Sequence, residues 1–135
     1  VIKWRRTVRL IMTELNTPSA QRDQWFLWCA AQMAHALIGA VIAGALMFFI
    51  PAWCAFGVTA LGYALAKEVP DFLRNRSWDN ARDCTQDTLF VTAGAALVVA
   101  VAGGHERLFL VAVLAAGIGL AWGAVIRLKG TGDVR

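Results

Sequence analysis

The chain is short of charge. Of its 135 residues, 16% are Asp, Glu, Lys or Arg, where a soluble domain carries about 25%. No charged residue stands between Asp23 and Lys67, between Asp87 and Glu106, or between Arg107 and Arg127. So small a soluble fold has too little polar surface to cover that much apolar chain. Chemistry-bearing motifs are also missing. There is no Ser/His/Asp set, no phosphate loop and no zinc-finger spacing, and only two histidines. The three cysteines, Cys29, Cys54 and Cys84, are odd in number and form no CxxC. This excludes a disulfide framework and predicts free thiols packed as small apolar residues. The basic start is followed by an amphipathic stretch and lacks a short apolar core with a small-residue cleavage site, so no cleavable signal peptide is expected. No internal repeat and no separate domain are evident.

What is present is apolar: 59% hydrophobic residues and a mean hydropathy of +0.57. A membrane helix needs about 20 apolar residues, so the first charge-free run holds two spans and the other two hold one each. The expected fold is all-α, a single membrane domain over residues 1–135. It is a four-helix transmembrane bundle with spans at 25–50, 52–66, 88–103 and 108–126. The second and third are short, and either extend into their polar flanks or thin the bilayer. Lys and Arg set orientation. They cluster before the first span (Lys3, Arg5, Arg6, Arg9, Arg22), between the second and third (Lys67, Arg74, Arg76, Arg82) and in the tail (Arg127, Lys129, Arg135), while the opposite side has only Arg107. The expected location is the bacterial inner membrane, with both termini and the middle loop cytoplasmic. The net charge of +4 then reports topology, and no nucleic-acid partner is expected.

Residues 1–16 read as an amphipathic helix lying on the membrane. Val1, Trp4, Val8, Ile11, Met12 and Leu15 share one face; Arg5, Arg6, Arg9, Thr13 and Asn16 take the other. With Lys3, the arginines Arg5, Arg6 and Arg9 form the expected contact with anionic lipid; the alternative is packing on a partner subunit. Thr17-Pro18 reads as a helix start, with Trp25 and Trp28 at interface depth. Pro51 and Gly103-Gly104-His105 mark outer turns. Asn75-Arg76-Ser77 marks an inner one, with Ser77 as N-cap and Asp79 at the positive end of the next helix. Small residues four apart (Gly39/Ala43, Ala40/Gly44, Ala112/Ala116, Gly119/Gly123) offer close-packing faces, internal to the bundle for the first span. His105-Glu106-Arg107 reads as a solvated turn, and Trp53, Trp78 and Trp122 as anchors or packing.

Depth is the informative coordinate. His35 lies 16 residues before Pro51, Lys67 lies 16 after it, and Asp87 lies 16 before Gly103. At about 1.5 Å per residue all three stand roughly 24 Å from the outer turns. His35 (with Gln32), Lys67, Glu68, Asp71, Asp83 and Asp87 are therefore expected to converge near the cytoplasmic edge of the bilayer. Ionisable groups there pair with one another or meet water. Three roles fit: a structural ion-pair network, a divalent metal site built on His35, Glu68 and Asp87, or an acid–base or phosphate-handling site with Lys67 holding the anion.

A His in an early apolar helix, then Lys67-Glu68-x-x-Asp71, Trp78-Asp79, Asp83, Asp87 and Gly94, resembles the VanZ-like and YfiM-like small envelope proteins over residues 30–100. In that family an Asp-Lys pair usually stands where this chain has Ala31 and Gln32, and an Asn often stands at Asp87. The resemblance implies a role in the bacterial envelope and, for VanZ-like members, an association with glycopeptide resistance. The expected function is an inner-membrane protein, of bacterial or phage origin, whose cytoplasm-facing cluster binds a metal ion or an anionic lipid headgroup. The alternatives are a holin-like oligomer that permeabilises the membrane and an accessory subunit of a larger membrane complex. Lipids, further copies of the chain or a membrane-complex subunit are the expected partners.

Overall fold

The structure is a computed structural model, and residues 25–130 are described. The amphipathic helix expected at 1–16, the Thr17 cap and the tail cations beyond residue 130 lie outside them. Among the described residues there is no strand. The helices are α1 (Trp25–Leu46), α2 (Ala52–Tyr63), α3 (Val69–Arg74), α4 (Trp78–Ala102) and α5 (Glu106–Gly130). Three of them, α1, α4 and α5, are long and apolar enough to cross a membrane.

The turns fall where the punctuating residues stand. α1 stops at Leu46, four residues before the expected limit of 50, and residues 47–50 close a hydrogen-bonded turn before Pro51. Gly104 closes the second outer turn at φ +66°, a backbone conformation that costs glycine no Cβ clash. Ser77 caps α4 by accepting from the Asn80 amide at 3.1 Å, and Asp79 sits in the first turn. The helix that contains the span expected at 88–103 therefore begins ten residues before it, with a polar N-terminal half. Asn80 adds a second clamp: its side-chain amide donates to the carbonyls of Asp71 and Asn75, at 3.1 and 2.9 Å.

α2 does not end at residue 66. It passes through one π-helical turn, Ala64–Glu68, into α3. Pro70 supplies the reason. Proline has no N–H, and its ring clashes with the carbonyl four residues back. Widening the preceding turn, with Val69 N–H donating to the Ala64 carbonyl, lets the helix run through the proline unbroken.

α1 and α4 make the main contact of the bundle; α2 packs on both, and α5 lies along α4 and α1. Gly39 faces the Val91 backbone and Gly94 faces the Ala36 backbone, each with no room for a Cβ. The small-residue face of the first span is thus consumed inside the chain, with Ala43 fully buried beside it. Trp28 packs inside the chain. It is buried, edge-on to Phe90 with centroids 6.2 Å apart, and the Arg127 guanidinium lies over its ring at 4.0 Å. Gly123 makes the room, since a Cβ there would meet the indole. Trp25 remains exposed. The three cysteines are free thiols.

Candidate functional site

α1 and α4 cross at Gly39 and Gly94, and the polar layer lies on the residue-75 side of that crossing. One turn from Gly39, His35 faces Asp87 with Nδ1 3.5 Å from Oδ1. This is an ion-pair distance without the alignment of a hydrogen bond. Gln32, on the same face, donates from Nε2 to the same carboxylate oxygen at 2.9 Å. Both α1 residues are buried.

The π turn delivers the second half of the layer. Lys67 Nζ donates to Glu68 Oε1 at 2.9 Å and to Asp71 Oδ2 at 3.4 Å, and Arg74 reaches Asp71 at 3.3 Å. Glu68 is buried, whereas Asp71 is half-exposed. Adjacent residues sharing an ion pair are not ordinary α-helical neighbours. The wider turn lets Lys67 lie between Glu68 and Asp71. The halves are electrically joined, because Glu68 and Lys67 both act on Asp87.

Tyr63 stands between them. Its ring meets His35 edge-on, centroids 6.0 Å apart, and lies 5.6 Å from the Lys67 ammonium. Sequence reasoning passed it over. The available signal was its place four residues before Lys67, on the same helix face, as the one tyrosine in the chain.

Two expectations are corrected. Asp83 does not join the layer. It lines a separate cavity of about 180 Å3 with Asp79, Arg82, Gln86, Ile126 and Arg127, facing α5. Nor do His35, Glu68 and Asp87 form a metal-ligand set. Among the described residues no three His, Cys, Asp or Glu side chains converge to hold an ion. The physical reason is that Glu68 is committed to Lys67, and Asp87 to Gln32 and His35.

The described layer contains three carboxylates, Glu68, Asp71 and Asp87, against two fixed cations, Lys67 and Arg74. Among the described residues, pairing Lys67 with Glu68 and Arg74 with Asp71 leaves Asp87 facing His35 and Gln32 with no fixed cation of its own. Beside Glu68, a cleft of about 390 Å3 opens between the π turn, α3 and α4, walled by Val69, Phe72, Cys84, Thr88 and Leu89 among others. The layer is thus acidic by one charge, buried at its centre, and bordered by an opening.

Neither a family model, a curated protein nor a solved structure matches this chain.

Proposed function

We propose that the protein is an integral protein of the bacterial inner membrane that crosses the bilayer four times and exchanges a proton at His35–Asp87 with the cytoplasm. The supporting observation for membrane embedding is α5, whose apolar window is 11% buried within the chain. Water would not tolerate so large an apolar face. The fourth crossing is the continuous α2–π–α3 run. It starts beside the outer turn, where Trp53 lies 5.6 Å from the His105 ring. It ends where the Asp71 carbonyl accepts from Asn80 near the start of α4. It therefore travels the length of α4, a helix able to span. Successive segments of 12, 5 and 6 residues reach about 34 Å, enough for a hydrocarbon core of about 30 Å. Lys67, Arg74, Arg76 and Arg82 support a cytoplasmic residue-75 loop.

This topology has a direct check. In a chain with its own cysteines replaced by alanine, Arg76→Cys is expected to react with a membrane-impermeant thiol reagent from the cytoplasmic side only. Phe49→Cys and Arg107→Cys are expected to react from the opposite side only. Labelling of Arg76→Cys and Phe49→Cys from one and the same side would remove the second crossing.

The observation that carries the proton reading is the unmatched carboxylate. Asp87 faces an imidazole inside a layer where every other carboxylate has its own cation. Ionisable groups at membrane depth are costly unless compensated, and mark proton or ion pathways. An imidazole–carboxylate pair is neutral overall when it holds one proton. The layer's acidic balance favours a proton over an anionic headgroup. Protein in lipid nanodiscs, jumped from alkaline to mildly acidic pH with a dilute indicator dye, is expected to take up about one proton more than Asp87→Asn or His35→Ala. Equal uptake by all three would end this reading and return the layer to a purely structural role.

A further inference from the structure

Gln32 and His35 are 3% and 4% exposed, yet each carries a polar atom with no hydrogen-bond partner in the protein. These are Gln32 Oε1 and His35 Nδ1, and Tyr63 Oη is a third. They are grouped. Gln32 Nε2 and His35 Nδ1 both approach Asp87 Oδ1, at 2.9 and 3.5 Å, which sets the two α1 side chains against one carboxylate oxygen. The edge-on contact of His35 with Tyr63 brings the tyrosine to the same spot from α2. Two helices, α1 and α2, thus bring an acceptor, an imidazole nitrogen and a hydroxyl into one buried region beside Asp87 of α4.

Buried polar atoms in folded proteins have partners, supplied by water where the chain supplies none. A buried water takes two to four polar partners. The set here suits one: Gln32 Oε1 accepts, the tyrosine hydroxyl both donates and accepts, and His35 Nδ1 does either according to its tautomer. A metal ion fits less well, because the ring nitrogen and Asp87 are not joined by a third ligand. We propose that a bound water molecule occupies this point between α1, α2 and α4, held by Gln32 Oε1, His35 Nδ1 and Tyr63 Oη. The water joins the His35–Asp87 pair to Tyr63, which stands five residues before Glu68 on the same continuous helical run. Glu68 in turn borders the cleft between α3 and α4. The water site stands on the unpartnered atoms alone. Its use as a relay, carrying a proton from His35 past Tyr63 to Glu68 and the cleft, rests on the proton-exchange reading.

Water-edited NMR of the full chain in nanodiscs tests the site. Magnetisation transfer from water is expected at the Gln32 amide and the His35 and Tyr63 rings, and is expected to be absent at Ala55 and Val91, which are fully buried. Tyr63→Phe removes one of the three holders. Transfer to Gln32 and His35 is then expected to be lost while the rest of the spectrum stays folded; Gln32→Met serves the same purpose should Tyr63→Phe not fold. Dry Gln32 and His35 side chains in the wild type would overturn the site, as would transfer that neither variant changes. A wet site combined with Asp87-independent proton uptake would keep the water and retire the relay. Proton uptake that depends on Asp87 at a dry site would do the reverse.

Discussion

Gly39→Ala and Gly94→Ala are expected to destabilise the fold more than any other single added methyl group, by about 3 kcal/mol or more each. Adding volume to a packed core costs about 1–3 kcal/mol when side chains can shift to absorb it. Here they cannot. A Cβ on Gly39 meets the Val91 carbonyl, and a Cβ on Gly94 meets the Ala36 carbonyl. The obstacle on both sides is helix backbone, so relief requires α1 and α4 to move apart. That movement would also open His35–Asp87, one turn away. Alanine's better helix propensity offsets about 1 kcal/mol of the loss. The same propensity provides the control. Gly57 and Gly62 have open space where a Cβ would go, so Gly57→Ala and Gly62→Ala are expected to be neutral or stabilising by up to about 1 kcal/mol. Denaturant titration in mild detergent, followed by tryptophan fluorescence, separates the pairs. If Gly39→Ala behaves like Gly57→Ala, the close crossing of α1 and α4 is wrong.

Lys67→Met is expected to cost about 3 kcal/mol, the low end of the range for stripping one partner from a buried pair. The change leaves the buried Glu68 carboxylate without its cation. Lys67 is 28% exposed, and the water it reaches screens the pair, which places the loss at the low end. Restoring neutrality should recover most of it, so Lys67→Met combined with Glu68→Gln is expected to lie close to the wild type. Arg74→Met tests the contrast. That side chain is 80% exposed, and its pairing with Asp71 is worth less than about 1 kcal/mol. The same denaturant titrations measure all three. A double variant as unstable as Lys67→Met alone would show that packing of the lysine stem, and not charge balance, holds the π turn.

Several features were legible before any fold was known. The turns at Pro51, Ser77 and Gly103–Gly104 follow from residue types with particular backbone and capping chemistry. Equal distances from those turns put His35, Lys67 and Asp87 at one depth, because helical rise is nearly constant. Pro70 is a residue type that disturbs a helix. It did not say whether the helix would break or widen, since that depends on neighbours able to hold Lys67 and Glu68 in the wider turn.

Azimuth was less legible. Asp83 and Asp87 are four apart and read as one face, yet Asp87 meets α1 while Asp83 lines a cavity against α5. A helix of wide polar face touches two neighbours, and spacing alone does not tell which residue goes to which. The burial of Trp28 was not legible for a related reason. Its amphipathic ring suits the interface, but the gap at Gly123 and the cation of Arg127, both on α5, draw it inward, nearly a hundred residues along the chain.

Local chemistry therefore settled where this chain is helical and where it turns, because capping, proline geometry and charge-free length act within a few residues. The partner of each charge was decided by packing. The Gly39–Gly94 crossing sets how α1 and α4 are rotated, and the turn at Pro70 sets where Lys67 and Glu68 point. Those rotations, which depend on contacts between distant residues, split the expected single cluster into a His35–Asp87 layer and a separate Asp83 cavity.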